Sequence, residues 1–409
     1  MEKKINITLI GINFYPEESS TGLYSTQMVE HLANSYTVDV ITGFPYYPEW
    51  EIAHEYINKP KYLKEKKDQI TIYRYKQYVP KHPTFRNRIL HLIDFTLGSI
   101  RNVFKVKQCD LVICVVPFTS SIALALLMAK LRGAKVWVHI QDFEFDAAVE
   151  SGLAGQQTGL KAKVFKGLFW LEKKLLDKAD LVSTISYGMI TKLESKTNTP
   201  NYFFPNWVDE HFIDPSKAQQ HTLLQSSNFK ILYSGNIGTK QDWDFFIRVV
   251  KYFQDNKNIE FIVVGAGAKK EWLVQATQAY TNVQHFMPVE YKTLPDLLCS
   301  ADLHILFQKN NVVDTVMPSK LLGMMASAVP SLVTGNLMSE VAKVFDKSQG
   351  GYFYDSESFD EVTSSIEKLM LEKSKAKEMG LNARTYIVEH FSASRVLANF
   401  EAKVNTLID

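Results

Sequence analysis

Apolar residues come in short blocks separated by longer amphipathic stretches, and this alternation runs the length of the chain. Apolar runs bounded by turn residues predict strands at 5–10, 37–42, 70–75, 110–115, 135–140 and 181–184. Apolar positions at helical spacing predict helices between several of them, at 21–33, 120–131 and 160–177. After Phe204-Pro205-Asn206 the pattern restarts, with strands at 230–233, 261–264, 283–286 and 303–307 and helices between. The polar stretch 209–228 has no clear period and reads as a connection between domains. Strand–helix alternation predicts an α/β fold with parallel sheets and crossover helices, divided near residue 205. Doubly wound sheets take ligands at the carboxyl ends of their strands, so a cleft between the domains is the expected site.

One stretch carries more chemistry than its pattern alone. Residues 314–333, DTVMPSKLLGMMASAVPSLV, predict a loop that becomes a helix at Pro318-Ser319 and then a short apolar strand. Proline is pre-organised for a first helical turn, and Ser319 can accept from a free backbone N–H there. Lys320 then stands where unpaired N–H groups and the helix dipole already favour an anion, which points to phosphate; a solvated surface lysine is the plainer account.

Three further loops follow strands and precede helices. PEESSTG (16–22) has small residues around Gly22 that let backbone approach a ligand. YSGNIGTKQDWD (233–244) sets Gly235 and Gly238 about Asn236, with Lys240 behind and Asp242 as a helix cap, a pattern able to cradle a diphosphate. VVGAG (263–267) invites a dinucleotide reading, but Lys270 stands where the third glycine of that fingerprint belongs. A close-approach role for Gly265 and Gly267 remains. In the first domain HIQDFEFD (139–146) leaves the end of a strand and gathers His139, Gln141, Asp142, Glu144 and Asp146. Such a group suits holding sugar hydroxyls or taking a proton from an acceptor hydroxyl, although a lone histidine at a strand end is more often structural.

Composition narrows the class. The 409 residues suffice for two domains, and 46% hydrophobic with 22% charged residues leaves no case for disorder. Cys109, Cys114 and Cys299 have neither metal-ligand spacing nor a disulfide pattern and fit a reducing compartment. A strand so near the N-terminus leaves no room for a signal peptide, and no apolar run is long enough to cross a membrane, so a cytoplasmic location is expected. The net charge of +2 hides a local excess: residues 59–107 hold 13 Lys and Arg against 3 Asp and Glu. Within this block, 86–107 has Ile89, Leu92, Ile93, Thr96, Leu97, Ile100, Val103 and Phe104 at helical spacing, behind interleaved tyrosines, prolines and cations. That is the pattern of a helix lying in a membrane interface, or else of a crossover helix packed on its sheet. No nucleic-acid-binding module appears, so nucleic acid is not an expected partner.

Taken in order, these pieces resemble family 4 (group 1) glycosyltransferases of the GT-B fold. The matching segments are the Gly22 loop, PNWVD (205–209), YSGNIGTK, VVGAG, NVQHFMPVE (282–290), SADLHILF (300–307) and MPSKLLGMMASAVP. Among them, HIQDFEFD and GNIGTKQ are most similar to bacterial polysaccharide enzymes of the colanic-acid fucosyltransferase type. The resemblance implies two Rossmann-like domains, an acceptor domain over 1–205 rejoined by a C-terminal helix at 390–409, and a nucleotide-sugar domain over 206–389. It implies transfer from a nucleoside diphosphate sugar with retention, no metal, and no cofactor besides the donor, GDP-linked before UDP-linked.

On that reading Lys240 and Lys320 stabilise the leaving diphosphate, with Asn236, Gly238 and Ser319 nearby. The base and ribose fall near Gly265, Met287 and Glu290, while His139, Gln141, Asp142 and Glu144 face the sugar and acceptor. Many relatives have arginine at the position of Asn236, a lysine close to Gln241 and a ribose-binding glutamate where Gly323 stands. The expected activity is extension of a polyprenyl-diphosphate-linked glycan in capsule or exopolysaccharide synthesis, at the inner face of the plasma membrane through segment 59–107. A nucleotide-sugar epimerase of the same architecture and a non-catalytic sugar- or membrane-binding protein are the alternatives.

Overall fold

A computed structural model describes residues 4–18, 20–82, 84–117, 119–150, 160–310 and 319–409. The chain divides into two compact units, Met1–Phe204 with Leu397–Asp409, and Pro205–Val396. The first opens with β1 (Asn6–Ile10), α1 (Ser20–Leu32), β2 (Thr37–Gly43), β3 (Tyr62–Lys67) and β4 (Ile70–Tyr75). It continues through α2 (Phe85–Lys105), β5 (Leu111–Val116), α3 (Ser120–Arg132) and β6 (Lys135–Ile140). Then come α4 (Glu144–Glu150), α5 (Leu160–Leu176), β7 (Leu181–Thr184), α6 (Tyr187–Lys196) and β8 (Asn201–Phe203). These make one eight-stranded sheet in the order β3-β4-β2-β1-β5-β6-β7-β8. Every pairing is parallel except β3 with β4, which is antiparallel. The alternation YLKEKK of β3 has few large apolar residues, and the sequence pattern therefore passed it over as a strand.

The second unit runs β9 (Phe229–Ser234), α7 (Trp243–Tyr252), β10 (Ile259–Val264), α8 (Lys270–Thr277), β11 (Val283–Phe286) and α9 (Leu294–Cys299). It continues β12 (Leu303–Phe307), α10 (Ser319–Ala326), β13 (Ser331–Gly335), α11 (Glu340–Ser348) and β14 (Gly351–Asp355). Helices α12 (Phe359–Leu371), α13 (Lys373–Phe391) and α14 (Ala393–Ile408) close the chain. Its six strands are all parallel in the order β11-β10-β9-β12-β13-β14. Strands covered on both faces need continuous apolar runs, and IEFIVV of β10 is buried at every position. Most of α14 belongs to the first unit, where Phe400 stacks on Phe204 with ring centres 4.6 Å apart and lies 5.1 Å from Trp137. Among the parallel strands of each sheet the order reverses once, at β1/β5 and at β9/β12, and such reversals open a crevice at the carboxyl ends.

Helix α2 departs from the single apolar stripe expected of it. It buries His91, Phe95, Ser99, Asn102 and Val103. Gly98 leaves the notch that the Tyr75 ring fills, since a Cβ there would lie 2.0 Å from it. Of the predicted stripe only Val103 is fully buried, while Ile93, Leu97 and Phe104 are exposed. The sheet is met by a mixed face, and the apolar residues point elsewhere.

Candidate functional site

The carboxyl end of β9 runs into a loop that is bonded backbone to backbone onto its neighbours. Gly235 N–H donates to Val264 O at 2.9 Å, Ile237 N–H to Ala266 O at 2.8 Å and Lys269 N–H to Ile237 O at 3.0 Å. Gly265 N–H donates to Phe286 O at 3.0 Å, which brings in the end of β11. The glycines follow from this proximity. A Cβ at Gly265 would sit 2.0 Å from Gly235 O, and one at Gly267 (φ +149°) 2.4 Å from Asn236 Oδ1. What approaches Gly265 and Gly267 is thus the adjoining loop's backbone, so the glycine requirement there is met by protein alone.

Lys320, the second residue of α10, joins this group. Its Nζ donates to Tyr233 Oη at 2.7 Å and to Asn236 O at 3.2 Å, and lies 4.8 Å from the Tyr233 ring centre. Its stem covers Gly235, where a Cβ would come within 2.8 Å of Lys320 Cε. Burial holds the Tyr233 phenol well above its usual range, so it stays a neutral hydrogen-bonding post that donates to Asn236 O at 2.6 Å. The expected loop-to-helix turn falls on 311–318, and with the side chain of Ser319 it lies outside the described residues. Lys320 itself is fixed at the carboxyl end of β9, beside the β9/β12 reversal.

Other expected residues fare differently. Gly238 N–H donates to Gln241 Oε1 at 3.1 Å and Gly238 O accepts from Trp243 Nε1 at 2.8 Å, so this amide closes its own turn and is not presented to a ligand. Asp242 caps α7 as its position predicts, accepting from Phe245 N–H at 3.0 Å. Lys240 is exposed, and Lys309 N–H donates to its carbonyl at 3.2 Å, which folds the loop against the end of β12. Met287 is 61% exposed and Glu290 is ion-paired with Lys292, whose charge and hydrogen bond hold the carboxyl below its usual range. At Gly323 a Cβ would stand 3.3 Å from Leu298 Cδ1 and 3.6 Å from Ile213 Cδ1. A side chain there would begin in close contact with those two apolar side chains.

In the first unit the group at the end of β6 is built from side chains. His139 is 2% exposed. Its Nδ1 bonds Ser183 Oγ at 2.9 Å and its Nε2 meets Gln141 Nε2 at 2.9 Å. Ser183 Oγ also accepts from Trp137 Nε1 at 2.7 Å. Burial pushes the imidazole down to about 3, so it is neutral at any working pH. With the Gln141 amide donating to Nε2, the ring has no lone pair for an acceptor proton. His139, expected among the catalytic residues that face the sugar and acceptor, is buried here and positions Gln141.

The three carboxylates meet three fates. Asp142 is exposed. Asp146 is paired with Lys192 at 2.9 Å and Lys196 at 2.7 Å. Glu144 accepts from Thr119 N–H at 3.0 Å, just ahead of α3, and burial pushes its carboxyl up to about 7 despite that bond. Glu144 is thereby able to exchange a proton near neutrality. Gly22 sits against Glu17, whose Cβ a side chain at 22 would approach to 2.8 Å. Glu17 in turn accepts from the N–H groups of Tyr46 and Tyr47, each at 2.9 Å, and from Asn13 Nδ2 at 2.9 Å. Arg74, 1% exposed, ties Gly43 O (3.1 Å) and Tyr15 O (2.6 Å) to Glu65. Neither brace was foreseen; the cation near the end of the apolar strand ITIYRY was the available signal.

Two doubly wound units in one chain, each with polar groups gathered at its strand ends, are the architecture of the GT-B fold. Residues 215–386 match the family described as Glycosyl transferases group 1. The chain is 35% identical over 381 residues to WcaI of Escherichia coli (strain K12), whose name carries the provisional description of a colanic acid biosynthesis glycosyl transferase. That similarity covers 90% of this chain and 92% of the relative. The chain therefore belongs to the group 1 glycosyl transferases. The fold is shared with sucrose-phosphate synthase from Thermosynechococcus elongatus, with TM-score 0.73, 13% identity and 99% of each chain covered. It is shared also with Anabaena HepE, solved in complex with UDP, with TM-score 0.68, 11% identity and 98% and 100% covered.

Proposed function

We propose that this glycosyltransferase moves a sugar from a nucleoside diphosphate sugar to a polyprenyl-diphosphate-linked glycan, with retention and without a metal ion, in bacterial capsule or exopolysaccharide synthesis. The similarity to a relative described in colanic acid biosynthesis supports the polysaccharide setting. L-fucose from GDP-fucose is the donor we assign first and a UDP-sugar second. The observation that carries the reading is Lys320, a cation held on Tyr233 and Asn236 O at the end of β9. The bond between the anomeric carbon and the diphosphate breaks, and its negative charge grows beside Lys320 and Lys240, an electrostatic contribution that needs no reorganisation. In the first unit Gln141, Asp142 and Glu144 take the sugar and acceptor hydroxyls, with Glu144 available for the acceptor's proton. Such an enzyme works at the inner face of the plasma membrane, where its acceptor is anchored.

Thermal unfolding with GDP, UDP, GDP-fucose and UDP-glucose, each with a chelator present, tests this. A nucleotide at a hundredfold its Kd stabilises the fold by about 2.7 kcal/mol. GDP and GDP-fucose are expected to do so. Stabilisation by the uridine compounds alone would move the donor to UDP, and stabilisation by none would sink the reading.

A further inference from the structure

We infer that the layer formed by α2, α3 and α5 is a docking surface for an anionic lipid bilayer, which deepens the lipid-linked-acceptor reading by naming the part of the chain that meets the lipid. Helix α3 touches both α2 and α5, and α2 packs on β2 and β4 while α3 packs on β1, β5 and β6. On α2 the exposed residues Leu90, Ile93, Leu97 (63%) and Phe104 (58%) fall within about 60° of one another at 100° per residue. They lie opposite Phe95 and Ser99, which face the sheet. The usual amphipathic order is inverted. The helix turns Ser99 and Asn102 inward and leucine, isoleucine and phenylalanine outward. An exposed apolar face costs stability in water, and it is explained if that face is covered by hydrocarbon. On α5, Trp170 is 61% exposed, with Val164 and Leu171 exposed beside it.

Charge identifies the cover. Across the three helices there are eleven Lys and Arg against two acids. Both acids are engaged. Asp94 accepts from Tyr75 Oη at 3.0 Å and Tyr78 N–H at 2.7 Å, and Glu172 is paired with Lys196 at 2.6 Å. What remains is cationic, and Lys64 of β3 adds to the crowding of Arg101 and Lys105. A second copy of this face would set like charges against each other. A leaflet of anionic lipid takes the cations at its headgroups, the apolar residues in its acyl boundary and a tryptophan at the interface between them.

Flotation of the full chain with vesicles tests the assignment. Phosphatidylcholine vesicles are compared with vesicles containing about 30% phosphatidylglycerol as the anionic component. Wild type is expected to bind the anionic vesicles at least about tenfold better and to lose that preference as salt shortens the screening length. Leu97→Asp combined with Phe104→Asp is expected to lower binding at least about tenfold, with unfolding temperature and nucleotide binding unmoved. Brominated lipid is expected to quench wild type more than Trp170→Phe. No preference for anionic vesicles, or a double variant that binds like wild type, overturns the docking face. So does a lipid-free dimer that the double variant abolishes. Vesicle binding without nucleotide binding would instead overturn the transferase reading and leave the docking face standing.

Discussion

The two strand-end groups are made of different material. In the second unit the loops after β9, β10 and β11 are joined by main-chain hydrogen bonds, and glycines are needed because carbonyls lie where Cβ atoms would go. Its fixed charge, Lys320, rests on a phenol and a carbonyl. In the first unit main-chain bonds also join the strand ends, as Gln141 N–H to Val116 O at 2.9 Å, but side chains set the polar groups: Glu17 bracing 46–47, His139 holding Gln141, Glu144 on Thr119. A backbone-built group holds one geometry regardless of pH; a side-chain group can titrate and can be re-tuned by single substitutions. The family match lies wholly inside the second unit. Invariant electrostatic work suits the first kind of construction, and choice of sugar and acceptor suits the second.

The largest expected effect that would break this contrast is at Lys320. Lys320→Ala removes the cation but leaves Tyr233 Oη bonded to Asn236 O, so the fold should persist. We expect kcat/KM for sugar transfer to fall by about 10²–10³, as when one preorganised charge-stabilising donor is lost. A loss under tenfold in steady-state kinetics would mean that the charge is supplied elsewhere, Lys240 first. Next comes Gly265→Ala, whose Cβ would lie 2.0 Å from Gly235 O. Overpacking against backbone cannot be relieved by a rotamer, and a loss of about 3 kcal/mol in urea unfolding is expected. Gly167→Ala in α5, where a Cβ meets nothing within 4 Å, should instead gain about 0.5–1 kcal/mol.

How much of this was legible follows the same division. The parallel sheets were readable because buried strands such as IEFIVV announce themselves. So were Asp242 as a cap and Lys320 as a misplaced cation. Gly265 and Gly267 were legible as close-approach positions, but not what approaches them, since that depends on which loops become neighbours. Glu17, Arg74 and Ser183 went unnoticed because each has a partner, Tyr46, Tyr15 and His139 in turn, that lies 29 to 59 residues away and is brought close only by the folded topology. The apolar ridge of α2 was legible with two destinations, a membrane interface or the sheet, but not the choice between them. Periodicity gives a stripe and leaves its direction to the packing of Gly98 on Tyr75.

Glu144 tests the side-chain half of the contrast through pH. Its carboxyl rises from 4.5 unfolded to about 7 folded, mainly through burial. The folded state therefore holds this proton more tightly, and the group's contribution is full below pH 4.5 and lost as pH rises through about 7. Glu144→Gln removes that loss, so relative to wild type it should gain about 2 kcal/mol of unfolding free energy at pH 8 over its value at pH 5. A difference that does not change between the two pH values would show that the carboxyl titrates normally.

His139 gives a modest effect and the sharpest distinction. If it were the base, the rate of transfer would follow its protonation, and removing it would abolish a limb of the pH profile. Held between Ser183 and Gln141 with its ring pushed down to about 3, it does not change charge between pH 5 and 9. What His139→Gln can disturb is the placement of Gln141, and we expect kcat/KM to fall by about tenfold, mostly through KM. The profile's shape should stay that of wild type, whereas Glu144→Gln should flatten its limb near neutrality. A limb that vanishes in His139→Gln would return the imidazole to the chemistry. It would also make the first unit's group, like the second's, a fixed device whose parts act directly on the reacting atoms.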